Sequence, residues 1–306
     1  MLPIKITLPK GFLEEEVRND YFISKEMKEV WAVELDLLAE FDRVCRKYNL
    51  TYFADGGTLL GAIRHKGFIP WDDDIDVIMM RDQYEKFIKI APNEFKHPYF
   101  LQTSMTDIGS FNGHAKLRNS ETTAILSPVY YFEKMKINQG IFIDIFIADN
   151  LIDDFEKFEK QRKRAQFYKL MADQINSCTL RGYKNSKKAV VRNFRKTLSL
   201  IASPLLEKIA LFFYFKHDKE CQKYNGIETP RYALLTYQFT DRWQGFINDY
   251  SDVIIKDFEF ISIPVCKGYE HTLTLQYGDW KQYVIGSAQH TLDVLDTKKS
   301  YLNYLK

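Results

Sequence analysis

The sequence predicts an α/β (α+β) fold, with a mixed sheet at the centre and a helical elaboration after it. Three observations carry this. Between about residues 50 and 150, runs of β-branched and aromatic residues alternate with segments of helical periodicity. Within that region "GIFIDIFIADN" (Gly140–Asn150) reads as a strong strand. From Asp153 to about Tyr224 the pattern turns helical and much more basic. The chain has 306 residues, 45% hydrophobic and 15% aromatic, with charges of both signs, enough for one large domain or a core with an appended subdomain.

Taken in order, residues 1–50 form an N-terminal helical segment expected to pack on the core. Ser24 is placed to cap a helix running to about Tyr48, because Val30, Val33, Leu37, Phe41, Val44 and Tyr48 recur at three-to-four spacing and Asn49 suits its end. The core, 51–152, begins with a short strand, "TYFAD" (Thr51–Asp55). A Gly56-Gly57 turn follows, then a short helix in "TLLGAIRH". "DIDVIMM" is a second strand, "QYEKFIKIA" a helix, and "HAKLRN" a further strand before Gly140. Residues 153–245 make the basic helical region, and 246–306 a mixed C-terminal region expected to pack back on the core.

Composition removes several classes. A net charge of +2 makes no global case for nucleic-acid binding, and no binding motif for it is present. Cys45, Cys178, Cys221 and Cys266 are scattered, without the spacing of a disulfide framework or a zinc site. They read as thiols in a reducing compartment. The N-terminus lacks the apolar core of a secretion signal, and the longest apolar tract, Thr197–Phe215, is interrupted by Pro204 and by Glu207-Lys208. A soluble, cytoplasmic protein is expected.

The chemistry concentrates in "GFIPWDDDIDV" (Gly67–Val77), where Asp72, Asp73, Asp74 and Asp76 stand among apolar residues. Alternate side chains of a strand share a face, so Asp74 and Asp76 point one way while Ile75 and Val77 enter the core. Carboxylates held side by side repel one another unless a cation stands between them, and a hard divalent ion such as Mg²⁺, or Mn²⁺ in its place, takes oxygen ligands of this kind. Asp144, alone in an apolar strand, needs a partner as well: an Arg or Lys by default, or the same metal. Asp72 and Asp73 are expected either in a solvated loop or beside that site. Gly56-Gly57 at a helix start exposes backbone N–H groups where a phosphate can approach closely.

A Gly-Gly helix start, then an Asp-apolar-Asp strand, then an acid in a later strand, resembles the nucleotidyltransferase superfamily. The block "YFADGGTLLGAIRHKGFIPWDDDIDVIMMRDQYEKF" (Tyr52–Phe87) resembles more closely the LicD phosphocholine-transferase family, whose relatives include fukutin. "HAKLRNSETTA", "GIFIDIFIADN" and "GYEHTLTLQYGDW" follow in that family's order. The resemblance implies a nucleotidyltransferase-like mixed-sheet core that moves a phospho-alcohol from a CDP-activated donor to a glycan hydroxyl, releasing CMP. It further implies that Asp74, Asp76 and Asp144 bind Mg²⁺, or that Asp144 takes the attacking hydroxyl's proton. Gly56, Gly57 and Thr58 would hold the donor's phosphates, and Arg64, Lys116 and Arg118 would neutralise phosphate charge. The sixteen-residue spacer between Gly57 and Asp74 is normal for the family. "KQYVIGSAQH" lacks the family's prolines, and His290 is expected to be structural or on the surface.

Two other functions fit parts of this pattern: a nucleotidyltransferase releasing pyrophosphate, and a non-catalytic nucleotide- or sugar-binding scaffold. The intact Asp74, Asp76 and Asp144 set speaks against the scaffold. Finally, "RGYKNSKKAVVRNFRK" (Arg181–Lys196) carries seven basic residues and no acid ahead of the apolar tract. It is either a solvated charged face or, with residues up to 215, a peripheral contact with the inner face of the cell membrane.

Overall fold

The computed structural model describes residues 1–126, 137–180, 186–237, 244–286, 290 and 292–304. Its centre is a seven-stranded mixed sheet. The strands in chain order are β1 (Glu16–Arg18), β2 (Tyr21–Ile23), β3 (Phe53–Ala54), β4 (Asp76–Met80), β5 (Tyr99–Gln102), β6 (Ala115–Asn119) and β7 (Thr123–Leu126), followed by β8 (Ile141–Leu151), β9 (Arg231–Ala233), β10 (Gln244–Phe246), β11 (Val253–Phe258), β12 (Ile261–Cys266) and β13 (Leu292–Asp296). The helices are α1 (Lys25–Lys47), α2 (Gly56–Arg64), α3 (Arg81–Glu94), α4 (Phe155–Asn176), α5 (Ala189–Cys221) and α6 (Tyr269–Tyr277).

β8 organises the sheet. Its apolar residues are buried along almost the whole strand, as a central strand covered on both faces requires. It pairs in parallel with β4, antiparallel with β6 over its first half and antiparallel with β9 over its last residues. β3 closes the far edge antiparallel to β4, and β5 extends β6. The strand around Thr51–Asp55 is shorter than the sequence suggests, because only Phe53 and Ala54 meet β4.

α1 lies against this sheet. Ser24 Oγ accepts from the Met27 N–H at 3.2 Å, and Val30, Val33, Leu37, Phe41 and Val44 are all buried. Asn49, at φ +52°, turns the chain out of the helix, a conformation that Asn tolerates better than most residues. Trp31 of α1 stacks on Phe68 with ring centroids 4.6 Å apart, and its Nε1–H donates to the Asp72 carbonyl at 2.9 Å. The segment that leads into β4 is thereby held down on the core.

The C-terminal region closes over the other side of that segment. Glu259, in the β11–β12 turn, accepts from the Phe68 N–H at 3.0 Å and pairs with Arg18 at 2.6 Å. A Cβ at Gly67 would come within 2.1 Å of the Glu259 carboxylate, which is why glycine stands there. β13 pairs with β7, and Thr297 and Lys298 bind Glu29 of α1.

α4 and α5 form a helical hairpin. α5 runs unbroken through Pro204. The carbonyl that loses its N–H partner there can be satisfied by water, because Pro204 and Leu200 are both exposed. By length and composition α5 is apolar enough to cross a membrane, a reading the sequence had set aside. The four cysteines are unpaired thiols, and Cys45, Cys221 and Cys266 are buried.

Candidate active site

Parallel pairing of β4 with β8 sets Asp76 directly opposite Asp144. The Asp144 N–H donates to the Ile75 carbonyl at 2.9 Å, so the ladder continues one step ahead of β4. Ile75 and Val77 are fully buried, while Asp74 and Asp76 are half-buried on the opposite face. Asp74 stands on the extended approach to the strand and not within it.

The two glycines are the first turn of α2 and not a turn ahead of it, with Asp55 at the N-cap position. Gly56 has φ +53°, and a Cβ on it would lie 3.2 Å from Asp76 Oδ2. A Cβ on Gly57 would strike Asp72 Oδ2 at 2.4 Å. Both glycines therefore make room for carboxylates. No side-chain hydrogen bond caps the helix start, whose backbone donors face this acidic centre. Thr58 is buried, and its Oγ1 accepts from the Asp76 N–H at 2.8 Å, fixing the helix to the acid strand.

Asp72 and Asp73 are not solvated. They are 5% and 9% exposed, and the carboxylate oxygens of Asp72, Asp73 and Asp74 gather within 4.8 Å of one another. Of the two places open to them, Asp72 and Asp73 thus take the one beside the acidic centre. His290 joins it: its backbone N–H and Nδ1 both reach Asp73, and Nε2 lies 3.9 Å from Asp74 Oδ2. Hydrogen bonding to Asp73 raises the imidazole above its ordinary pKa. These bonds set His290 off the open surface and agree with the structural alternative expected of it. Asp55 is a further acid that the sequence pattern did not single out. It is buried, Gln276 donates to it at 3.2 Å, and its N–H donates to the Asp76 carbonyl at 3.0 Å.

The cations divide. Lys116 lies opposite Asp144 in the β6–β8 register, with Nζ on Asp144 Oδ1 at 2.5 Å and 3.6 Å from the Phe142 ring centroid. His114 Nε2 meets the same oxygen at 3.1 Å. Its position one step before β6 is a signal the sequence carried, since residues 114, 116 and 118 alternate along one strand. Arg118 shares that face, but its Nε and Nη1 are bound to Gln102 Oε1 and the Gly140 carbonyl. Arg64 stands at the opposite end of α2 from the glycines. Its Nη1 donates to the Trp280 and Gln282 carbonyls at 2.8 and 3.0 Å, and its guanidinium covers Tyr283. It ties the C-terminal segment to α2 and, among the described residues, pairs with no aspartate.

Electrostatics mark the Asp72, Asp74 and Asp76 part of this centre as short of positive charge. Burial, then Asp74, Asp144, Asp55 and Asp72, push Asp76 well above the usual carboxylate range. Burial and then Asp74 do the same to Asp72. Asp74 is pushed up to about 6 by burial, with Asp144 and Asp73 adding to the rise and His290 opposing it. Asp144 is the exception: burial raises it, but Lys116 and His114 outweigh that and hold it below the usual range. Among the described residues, Asp76 Oδ1 is buried with no hydrogen-bond partner. An all-oxygen donor set with an orphaned buried oxygen and suppressed ionisation fits a hard divalent cation.

With this geometry in view, two comparisons bear on ancestry. The family model described as LicD/FKTN/FKRP, nucleotidyltransferase domain, matches residues 49–187. The lipopolysaccharide cholinephosphotransferase LicD of Haemophilus influenzae is 30% identical over 256 residues, covering 83% of this chain and 91% of the relative. This chain belongs to the LicD family. The coarse consequence is a transferase. An uncharacterized protein of Rickettsia typhi is 42% identical over 60 residues, 20% of this chain and 19% of that protein. An uncharacterized Caenorhabditis elegans protein is 47% identical over 47 residues, 15% of this chain and 12% of that protein. The LicD family match spans α2, β4, β6 and β8, the elements that build the acidic centre.

Proposed function

We propose that the protein transfers phosphocholine, or a similar phospho-alcohol, from a CDP-activated donor to a hydroxyl of a cell-surface glycan or its lipid-linked precursor, releasing CMP. The observation that carries this is the crowded carboxylate centre with its orphaned Asp76 oxygen, in a chain alignable with a cholinephosphotransferase over most of its length. Asp74 and Asp76, with Asp144 across the parallel pair, would hold Mg²⁺ or Mn²⁺, and Asp72 and Asp73 stand close enough to share in that role. When bound, the ion supplies a Lewis acid for phosphate oxygens.

The chain's own groups supply the rest. The uncapped start of α2 at Gly56 and Gly57 offers backbone N–H donors to the donor's phosphates. Lys116 sets an ammonium beside Asp144, where negative charge develops during displacement. In the step itself, the acceptor hydroxyl oxygen forms a bond to the phosphorus bearing the alcohol. The bond from that phosphorus to the CMP oxygen breaks, and CMP leaves with the electron pair. The hydroxyl's proton goes to a carboxylate of the cluster. Asp144 is the poorest acceptor for it, because Lys116 and His114 favour its ionised form, which suits it to the metal and not to the proton.

The test is to incubate the full chain with Mg²⁺, a panel of CDP-alcohols and candidate glycans, and to follow CMP and the modified glycan. CMP release that needs both glycan and Mg²⁺, strongest with one CDP-alcohol, is expected. Pyrophosphate released from a nucleoside triphosphate would establish the nucleotidyltransferase instead, and release of neither product would refute both.

A further inference from the structure

The α4–α5 hairpin plays no part in the acidic centre, yet it carries the most exposed apolar surface on a helix among the described residues. On α5 the buried positions Ser199, Ser203, Ala210, His217 and Cys221 follow one another at steps of four and seven, making a narrow stripe along one face. A second stripe, Val190, Phe194, Ile201, Leu205 and Phe212, advances by the same steps on the opposite face. Its members are 81%, 63%, 77%, 61% and 54% exposed. A helix of a water-bathed protein ordinarily turns such a face inward. Here the fully buried stripe is small or polar, Leu211, Phe213 and Tyr214 pack partly inward, and the five large residues of the second stripe face out.

Charge says what covers this face. From Lys187 to Leu206 there are five cations, Lys187, Lys188, Arg192, Arg195 and Lys196, and no acid. A surface of negative charge over an apolar interior complements both features at once. Full insertion is disfavoured because α4, which packs along α5, is rich in charge, with Lys, Arg, Glu and Asp recurring from Glu156 to Asp173.

We propose that the outer face of α5 docks the protein on an anionic lipid bilayer, with Val190, Phe194, Ile201 and Leu205 among the acyl chains and the cations at the headgroups. This docking stands on the helix alone and survives whether or not the substrate assignment does.

The experiment is co-sedimentation of the full chain with vesicles of phosphatidylcholine alone or of phosphatidylcholine with phosphatidylglycerol, without substrates. Binding is expected to the anionic vesicles only and to weaken with salt. Replacing Lys187, Lys188, Arg192 and Arg195 by Gln should weaken it about fivefold for each cation removed. The double substitution Ile201→Ser, Leu205→Ser should abolish it, and circular dichroism would show that both variants fold. Should the serine variant misfold, the charge variant still decides. Equal binding to both vesicle types overturns the proposal, as does binding unchanged in the variants. So does a dimer that the serine substitutions dissociate in the absence of vesicle binding, or resistance to alkaline extraction.

Discussion

Asp76→Asn separates the metal reading from a merely structural one. The substitution keeps the shape of the side chain and leaves the Asp76 backbone N–H on Thr58 and its ladder to β3 and β8 intact. It removes one charge from a group that burial and four neighbouring carboxylates already disfavour in its ionised form. Without metal, the variant should therefore be at least as stable as the parent. With metal the order reverses. A ligand at a hundred times its Kd stabilises the folded state by about 2.7 kcal/mol. With an unfolding entropy of about 2.1 cal/mol/K per residue over 306 residues, that is a rise in Tm of about 4 °C. Thermal unfolding with and without MgCl₂ measures it: the parent should rise by about that amount at saturation and Asp76→Asn by much less. Transfer by the variant should fall by at least about a hundredfold, the scale of losing one electrostatic stabiliser. A variant that keeps both the Mg²⁺-dependent rise and the activity would refute the reasoning.

Lys116→Met should be destabilising where Asp76→Asn is not, because it strands the buried Asp144 charge; the cost is about 3 kcal/mol or more, read by urea unfolding, and Asp144→Asn added to it should recover part of the loss. An unchanged midpoint would mean that His114 alone suffices for Asp144. Glu29 tests how the C-terminal segment is fastened. Burial raises its pKa, but hydrogen bonds from Lys298 and Thr297 outweigh that and leave it below the ordinary value. A depressed folded pKa contributes stability above the unfolded value and loses it as pH falls through the folded one. Glu29→Gln should thus be less stable than the parent near neutral pH, with the gap closing in acid; a gap that widens on acidification would contradict this.

Much of the core was legible because its signals are local. Ser24 and the three-to-four spacing after it specify α1, and the apolar run around Asp144 specifies β8. The glycines and the Asp-apolar-Asp pattern lie within about twenty residues of one another, so one stretch of chain displays them together. Where local cues left alternatives open, a distant contact decided. An acidic run such as Asp72-Asp73 is usually solvated, but Trp31, 41 residues away, pins the Asp72 carbonyl to the core.

The sequence by itself determined which residue types the centre would hold and the family that holds them, since strand alternation and motif spacing are properties of neighbours along the chain. Only the tertiary structure decided who meets whom. His290 reaches Asp73 across 217 positions, Gln276 reaches Asp55 across 221, and Arg64 is drawn to the backbone of residues 280 and 282. The physical reason is that burial and pairing energies depend on distance in space. A carboxylate's ionisation is set by whatever the fold brings within a few ångströms, and no periodicity in the chain encodes that.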